Sequence, residues 1–370
     1  MAEVLLLTAS FGAGHTQVAT AVGEAVGVEA PGTGTAIMDY LRFFPRPLSW
    51  STVAIYKGLY RYWPMGYGGV YRITSGLAAF DVWRRVEFKV GMEQLQRLMD
   101  RLRPRVVVCT HPLPMGAISL MRRAGQPTPP TLAVVTDYVL HGEWVQPGLD
   151  RYLVPSQEMA EALHRRGIEG VKTQVAGIPV RRQFLTLAAR VPNSARPRRL
   201  LWILSALGTV RGVRVAVREL LKENPLDHLT VVVGHDRVLF RQLAALAADF
   251  GDRLEVAGFV EDVAKRMAAA DVVVTKAGAV TLTEAMALAR PIVVYRPIPG
   301  QEAGNARWLE TRGAVRVARE PADLAAVVRA LGENPAMARE MGRRAENLAR
   351  SEAARMAAIT AIRLGAIGLG

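Results

Sequence analysis

The sequence predicts an α/β protein built from two doubly wound parallel sheets, and three observations predict it. Short runs rich in Val, Leu and Ile recur between longer alanine-rich segments of helical period. The runs show no polar alternation, which is the signature of strands buried on both faces. A polar, proline-bearing stretch, Val191-Pro-Asn-Ser-Ala-Arg-Pro-Arg-Arg199, separates the first group of runs from the second near the middle of the 370 residues. A chain of that length exceeds what one ordinary core serves, so two domains are expected.

The strands expected in the first half are Val4 to Thr8, Val106 to Thr110 and Leu132 to Thr136. Those of the second half are Leu200 to Ser205, Thr230 to Gly234, Val272 to Thr275 and Ile292 to Tyr295. The expected division is an N-terminal domain over 1–185, a linker over 186–199, a C-terminal domain over 200–350 and a C-terminal helix over 351–370, able to pack back on the N-terminal domain. Ligands of open α/β sheets bind outside the carboxyl ends of the strands. Functional residues are therefore expected in the loops just after strands, facing a shared cleft.

Composition narrows the class. Hydrophobic residues make up 50% of the chain, and 33 Gly with 21 Pro is near average usage, which excludes collagen-like and disordered chains. The single cysteine, Cys109, lies inside an apolar run, so neither an intrachain disulfide nor a cysteine-built zinc site is expected, and a reducing compartment fits. Met1 to Thr8 lacks the basic start and the apolar length of a signal peptide. No run reaches the ~18–20 apolar residues of a membrane span, so any membrane contact is expected to be peripheral.

After the first strand comes Thr8-Ala-Ser-Phe-Gly-Ala-Gly-His15. Gly12 and Gly14 permit close backbone approach to a ligand at a helix N-terminus. A dinucleotide fingerprint would need a third glycine where Gln17 stands. His15 reads in two ways: an imidazole able to take a proton from a substrate hydroxyl, or a cap on its helix.

The next two strand ends carry His111-Pro-Leu-Pro114 and Asp137-Tyr-Val-Leu-His141-Gly-Glu-Trp144. Asp137, His141 and Trp144 suit the wall of an acceptor pocket, with Asp137 orienting an imidazole or else capping the next turn. His15, His111 and His141 come from separate loops without metal-ligand spacing, and no Asp-x-Asp pair occurs, so no metal is expected.

In the second half, Asp271-Val-Val-Val-Thr-Lys276-Ala-Gly278-Ala-Val-Thr-Leu-Thr283-Glu284 reads as strand, small-residue turn and helix. The free N–H groups of such a helix start can hold a pyrophosphate. Glu284, within that helix, is either a hydrogen-bond acceptor for a ribose diol or an exposed helical glutamate. Arg296-Pro-Ile-Pro-Gly300-Gln301-Glu302-Ala-Gly-Asn305 gathers amide and carboxylate groups suited to sugar hydroxyls. Gly258-Phe259-Val260 and the loop Gly234-His-Asp-Arg237 are further candidates for base and phosphate contacts.

Taken in order, Phe11-Gly-Ala-Gly-His15, Thr136-Asp-Tyr-x-x-His141-x-x-Trp144, Ala176-Gly-Ile-Pro-Val180, Lys276-Ala-Gly-Ala-x-Thr-x-x-Glu284 and Pro299-Gly-Gln-Glu302-x-x-Asn305 resemble the GT-B glycosyltransferases that include monogalactosyldiacylglycerol synthase and processive diacylglycerol glucosyltransferase, with MurG more distant. The resemblance covers essentially the whole chain. It implies two Rossmann-like domains, a UDP-sugar donor held by the C-terminal half, and diacylglycerol or a similar lipid acceptor at the N-terminal half. It implies hexosyl transfer with inversion, without metal or other cofactor, in glycolipid biosynthesis. A MurG-like transfer of N-acetylglucosamine to a polyprenyl-linked acceptor and a non-catalytic nucleotide-sugar sensor are the alternatives.

On this resemblance His15 is the general base or its partner and Asp137 its supporting acid, although Asp137 alone is an alternative base. His111, His141 and Trp144 lie on the acceptor side with Gly14. Glu284, beside Thr283, takes the ribose; Gln301, Glu302 and Asn305 face the donor sugar; Gly258, Phe259 and Val260 face the uracil. Gly208 and Gly278 lie beside the pyrophosphate, with Lys276 or Arg211 neutralising it. The family usually shows paired glycines where this chain has Ser205-Ala-Leu-Gly208 and Gly278-Ala279.

Of the net charge of +14, a local +6 falls in one stretch and the remainder is spread across both halves. Between Tyr40 and Val90 lie 13 of the 24 aromatic residues, with eight Lys or Arg against two acids. Cations interleaved with Trp and Tyr suit an anionic bilayer surface, with Phe43, Trp50 and Trp63 as lipid-side contacts and Leu41 to Trp50 as the first point of attachment. Aromatic packing in the N-terminal core is the rival reading. A nucleic-acid surface lacks any recognised motif. The expected location is cytoplasmic, peripheral on the inner face of the cell membrane; oligomeric state is not legible.

Overall fold

The computed structural model describes residues 3–45, 88–187, 198–204 and 212–367. The chain divides into two compact units. The first holds the described residues up to Arg182 and those from Arg350 onward, and the second holds Gln183–Ala349.

The first unit is organised on a six-stranded parallel sheet of β1 (Val4–Thr8), β2 (Thr35–Asp39), β3 (Val106–Cys109), β4 (Thr131–Val134), β5 (Arg151–Val154) and β6 (Thr173–Val175). Its order is β2-β1-β3-β4-β5-β6. The registers Leu7 to Cys109 and Cys109 to Ala133 bring the carboxyl ends of β1, β3 and β4 level with one another. Every residue of those three strands is buried, which is why each reads as an unbroken apolar run. The strand order reverses at β1, so the ends of β1 and β3 form the switch point where ligands of such sheets bind.

The second unit repeats the plan with β7 (Arg199–Ile203), β8 (His228–Val232), β9 (Leu254–Ala257), β10 (Val272–Thr275), β11 (Ile292–Tyr295) and β12 (Arg316–Ala318), ordered β12-β11-β10-β7-β8-β9 and parallel throughout. Its switch point lies between β7 and β10. Trp202 and Tyr295 meet edge to face at 5.3 Å between ring centres and anchor this core.

Helix Pro335–Ala349 ends at Arg350, whose φ of 51° places it in the left-handed region, and the chain then rejoins the first unit. There helix Ala353–Leu364 packs on helix Ala13–Glu29. Its buried face is Ala353, Ala354, Ala357, Ala358, Ala361 and Ile362, small side chains that let two backbones approach closely. Arg355 Nε and Glu29 Oε1 close the contact at 2.9 Å.

Candidate functional site

In the first unit the ends of β1, β3 and β4 each contribute polar groups to one cluster. His15 is the third residue of helix Ala13–Glu29. The helix is capped by Gly12 in extended conformation, with no side-chain cap, so His15 does not serve as one. Its Nδ1 lies 2.8 Å from the carbonyl oxygen of Thr110, which follows β3, and 3.0 Å from Oγ1 of Thr136, two residues beyond β4. A carbonyl oxygen only accepts, so the proton of the neutral imidazole sits on Nδ1. Nε2 is left with its lone pair. Burial holds the His15 pKa below the ordinary value of 6.5, while Asp137, the Thr110 bond and Glu143 pull it upward.

His111 meets the His15 ring edge-on at 4.5 Å and stacks on Phe11 at 5.3 Å. Its Nδ1 accepts the Leu113 N–H at 3.0 Å, capping helix Pro112–Arg123. His111 therefore carries its proton on Nε2, the opposite tautomer to His15. Burial and the neighbouring His15 and His141 hold its pKa well below 6.5. One of its nitrogens is thus spent on the helix start.

Asp137 is buried, and its Oδ2 accepts the indole N–H of Trp144 at 2.9 Å. Trp144 is itself fully buried, so it acts on the cluster through this bond and by standing 6.4 Å from the His15 ring, rather than as an exposed wall. His141 precedes the 3-10 turn Gly142–Trp144, with Nδ1 3.6 Å from Glu143 Oε2. Gly14 lies in the first turn of the His15 helix and is half-buried.

Of the lipid-side candidates Phe43, Trp50 and Trp63, Phe43 lies among the described residues. Tyr40–Phe43 forms a 3-10 turn, and Tyr40, Phe44 and Phe88 are core residues. Phe43 is half-buried, edge-on to Tyr40 at 5.6 Å. Those aromatics pack inward because the Tyr40 hydroxyl donates to the Val90 carbonyl at 2.8 Å and pins the turn to the start of helix Met92–Leu102. Arg42 and Lys89 remain exposed. Trp50, Trp63, Gly208 and Arg211 lie outside the described residues.

In the second unit, Lys276 follows β10 at the switch point and is only 4% exposed. Burial holds its pKa below the ordinary 10.5, and Glu302 opposes that shift. Gly278 caps helix Ala279–Ala287 with open space where a side chain would project, which leaves the helix N-terminus approachable. Ala279 is the first helical residue and is buried. Glu284, one turn further, is 6% exposed, so the exposed-glutamate reading fails. Thr283 is fully buried and donates to the Ala279 carbonyl at 2.7 Å, which places it in the helix packing.

Helix Gln301–Glu310 brings its first turn to the same end of the sheet. Glu302 accepts the Ile298 N–H at 3.2 Å, Gln301 is half-buried, and buried Asn305 donates to the Ala277 carbonyl at 3.4 Å. Asn305 thus ties this helix to the Lys276 turn.

Beside them, Gly234, His235, Asp236, Arg237, Phe240, Arg241 and Gly258 line an open cavity of about 760 Å³. Phe259 is 63% exposed and stacks on His235 with ring centres 4.7 Å apart and planes 8° from parallel. Val260 follows, half-buried. Asp236 caps helix Arg237–Ala247, accepting from Val238 and Leu239 N–H at 3.1 and 2.9 Å. The aromatic pair and the Thr110 and Thr136 contacts to His15 were not read from the sequence. Each threonine ends an apolar run beside a histidine or aspartate, and that adjacency is the available signal. Among the described residues no group of three or more His, Cys, Asp or Glu is placed to hold a metal ion.

Residues 15–180 match the family model of monogalactosyldiacylglycerol (MGDG) synthase, and residues 211–357 match that of the glycosyltransferase family 28 C-terminal domain. The processive diacylglycerol beta-glucosyltransferase of Bacillus subtilis (strain 168) is 31% identical over 327 residues, spanning 85% of this chain and 83% of that protein. The protein of the same name from Bacillus cytotoxicus is 30% identical over 349 residues, spanning 90% and 86%. Among solved structures, MurG of Acinetobacter baumannii superposes with a TM-score of 0.63 at 17% identity, over 98% of this chain and all (100%) of that one, a likeness of fold. The S. aureus MnaA-UDP structure gives 0.62 at 14% identity over 96% and 94%. With two switch-point sheets, a relative 31% identical over 85% of the chain and family models matching residues 15–180 and 211–357, the chain belongs to the GT-B glycosyltransferase family of monogalactosyldiacylglycerol synthases and processive diacylglycerol glucosyltransferases.

Proposed function

We propose that the protein transfers a hexosyl group from a UDP-sugar to diacylglycerol or a similar lipid, with inversion, while lying on the inner face of the cell membrane. The observation that carries the catalytic part is the state of His15: Nδ1–H is engaged by the Thr110 carbonyl and Nε2 carries the lone pair. In this reading Nε2 takes the acceptor hydroxyl proton as that oxygen attacks the anomeric carbon opposite the diphosphate. The bond from the anomeric carbon to the diphosphate breaks, and an α-linked donor yields a β-glycoside. Asp137 stabilises the imidazolium by its field.

The departing diphosphate is neutralised by the N-terminus of helix Ala279–Ala287 and by Lys276. Buried Glu284 accepts from the ribose diol, Gln301, Glu302 and Asn305 face the sugar, and Gly258 to Val260 meet the base. No resident metal or cofactor takes part, so EDTA leaves transfer unchanged. The lipid acceptor is supported by the names of the Bacillus relatives. Peripheral attachment is supported by the basic, aromatic stretch between Tyr40 and Val90, and among the described residues no helix is long and apolar enough to cross a membrane.

The test is UDP release and lipid product formation on mixing the protein, a panel of UDP-sugars and anionic vesicles carrying diacylglycerol. Release with diacylglycerol but not with a polyprenyl-linked acceptor is expected; the reverse preference selects the MurG-like reading, and binding without release selects the sensor. His15→Gln should lower kcat by ~10²- to 10⁴-fold with UDP affinity intact. Activity within a few-fold of the parent removes His15 as base.

A further inference from the structure

We propose that Thr136 is a positioning residue for His15: its hydroxyl oxygen and the Thr110 carbonyl form a two-oxygen acceptor around Nδ1 that fixes the tautomer and shares the charge when Nε2 is protonated. The catalytic half of this inference rests on His15 acting as base; the tautomer half does not.

The geometry is specific. Nδ1 lies 2.8 Å from the Thr110 oxygen and 3.0 Å from Thr136 Oγ1, both within hydrogen-bonding range of one N–H, which is shared between them. Thr110 and Thr136 are buried and stand at the ends of the adjacent strands β3 and β4, so the sheet itself sets their spacing. The Thr110 hydroxyl donates to the carbonyl of His15 at 3.0 Å, which fixes the backbone of the residue whose ring the cradle holds.

The reverse tautomer would put the Nδ1 lone pair against a carbonyl oxygen at 2.8 Å with no hydrogen between them, a repulsive contact. Two neutral acceptors thus perform the orienting task that a hydrogen-bonded carboxylate performs in other histidine bases. An acceptor on Nδ1–H interacts more strongly with imidazolium than with neutral imidazole. Losing one lowers the affinity of Nε2 for a proton. The other ionisable groups that act on this ring are Asp137, Glu143 and His111, the last of which His141 also faces. None is altered by a change at position 136.

The experiment uses the full chain with ¹⁵N-labelled histidine. Long-range ¹H–¹⁵N NMR, with the His15 signal assigned by its loss in His15→Gln, is expected to show Nδ1–H and an unprotonated Nε2 in the parent. Finding the proton on Nε2 overturns the proposal before any variant is made. Thr136→Val keeps the shape and removes the oxygen. Its His15 titration midpoint is expected to fall by about 0.5–1 pH unit. Under saturating substrates kcat is expected to fall about 10-fold with the KM for UDP-sugar unchanged, and the acid limb of kcat/KM to move to lower pH with the NMR midpoint. Thr136→Ser, which retains the oxygen, restores both. A Thr136→Val protein whose His15 titrates where the parent does overturns the proposal whether or not the protein transfers a hexosyl group. If the NMR result holds while His15→Gln retains full activity, the base assignment has failed and the positioning of the ring has not.

Discussion

Substitutions at Arg198 and at Gly332 disable the same buried network by two different routes, and the second unit is expected to lose stability accordingly. Arg198 precedes β7, and its guanidinium is surrounded by acceptors. Nε donates to Asp227 Oδ1 at 2.8 Å, Nη2 to the second carboxylate oxygen and to Asn224 Oδ1 at 3.0 Å, and Nη1 to the Val328 carbonyl at 2.6 Å. Asp227 is 1% exposed, so no water is available to replace the cation. Removing one partner of such a pair costs about 3–5 kcal/mol, because a buried charge is left without its counterpart. Gly332 lies directly against the guanidinium: a Cβ built there overlaps Nη1 and Cζ, so Gly332→Ala must displace the same cation.

For a body of 150–250 residues one kcal/mol corresponds to about 2–4 °C, so Arg198→Met and Gly332→Ala are each expected to lower the melting of the second unit by roughly 6–20 °C. The two changes do not add. Methionine lacks the atoms that the new methyl would strike, so Gly332→Ala on the Arg198→Met background costs about 1 kcal/mol or less, a coupling of about 2–4 kcal/mol in a double-mutant cycle. Hydrogen exchange read by mass spectrometry resolves the two units, which a single melting curve does not. Full additivity, or a Gly332→Ala protein that melts with the parent, refutes this account of the network.

Two further predictions concern the sites. His15 and His111 both have folded pKa values below 6.5, so at pH values under 6.5 the unfolded chain binds more protons than the folded one, and stability falls as pH drops toward those folded values. His111→Asn keeps an N-cap acceptor and removes one titration, so it should flatten the fall in unfolding midpoint between pH 7 and 5; an unchanged slope excludes His111 as a contributor. Glu284→Gln, at a buried carboxylate, is expected to weaken UDP binding about 10- to 100-fold by calorimetry, the worth of a hydrogen bond to a charged acceptor, while UMP and UDP lose equally because the ribose is common to both. Undiminished UDP affinity removes Glu284 from the ribose site.

The sequence was most legible where strands are buried on both faces. β1, β3, β4, β7, β8, β10 and β11 follow from apolar runs, though β3 ends one residue and β4, β7 and β8 two residues before the runs do, and the loops that matter follow these strands. Five strands were not anticipated, for reasons of position. β2 alternates exposed and half-buried residues at a sheet edge, β6 and β12 are three residues long, β9 is mostly half-exposed, and β5 opens on Arg151 and Tyr152. Of the site, residue types with chemistry of their own were visible: His15, Asp137, Lys276 and Glu284 stand after strands or in the first turns beyond them. What was not visible is how each is held. The state of His15 depends on a backbone carbonyl and a threonine hydroxyl from two other strands, and Trp144 acts through one N–H; only register and burial reveal such partners. Of the aromatic stretch, Tyr40, Phe44 and Phe88 face inward, as the rival reading of core packing has it for these three.

The low proton affinity of His15 acquires a purpose if the proposed membrane attachment holds. A cytoplasmic leaflet carries a surface potential of about −30 mV, which concentrates protons, and at 59 mV per tenfold the interfacial pH lies about 0.5 unit below the bulk. A base with the ordinary histidine pKa of 6.5 would be partly protonated there near neutral pH. Burial holds His15 below that value, against the upward pull of Asp137 and Glu143, so Nε2 keeps its lone pair at the surface where the lipid acceptor resides. The acid limb of kcat/KM should then lie below pH 6.5 in neutral detergent micelles and move upward in bulk pH by about 0.5 unit on vesicles rich in anionic lipid, returning as salt screens the surface. His111, whose Nδ1 is occupied by the Leu113 N–H, should not add a second limb. An acid limb at the same bulk pH in micelles and on anionic vesicles would mean that the catalytic histidine does not experience the interface, and attachment through the stretch between Tyr40 and Val90 would lose its functional argument.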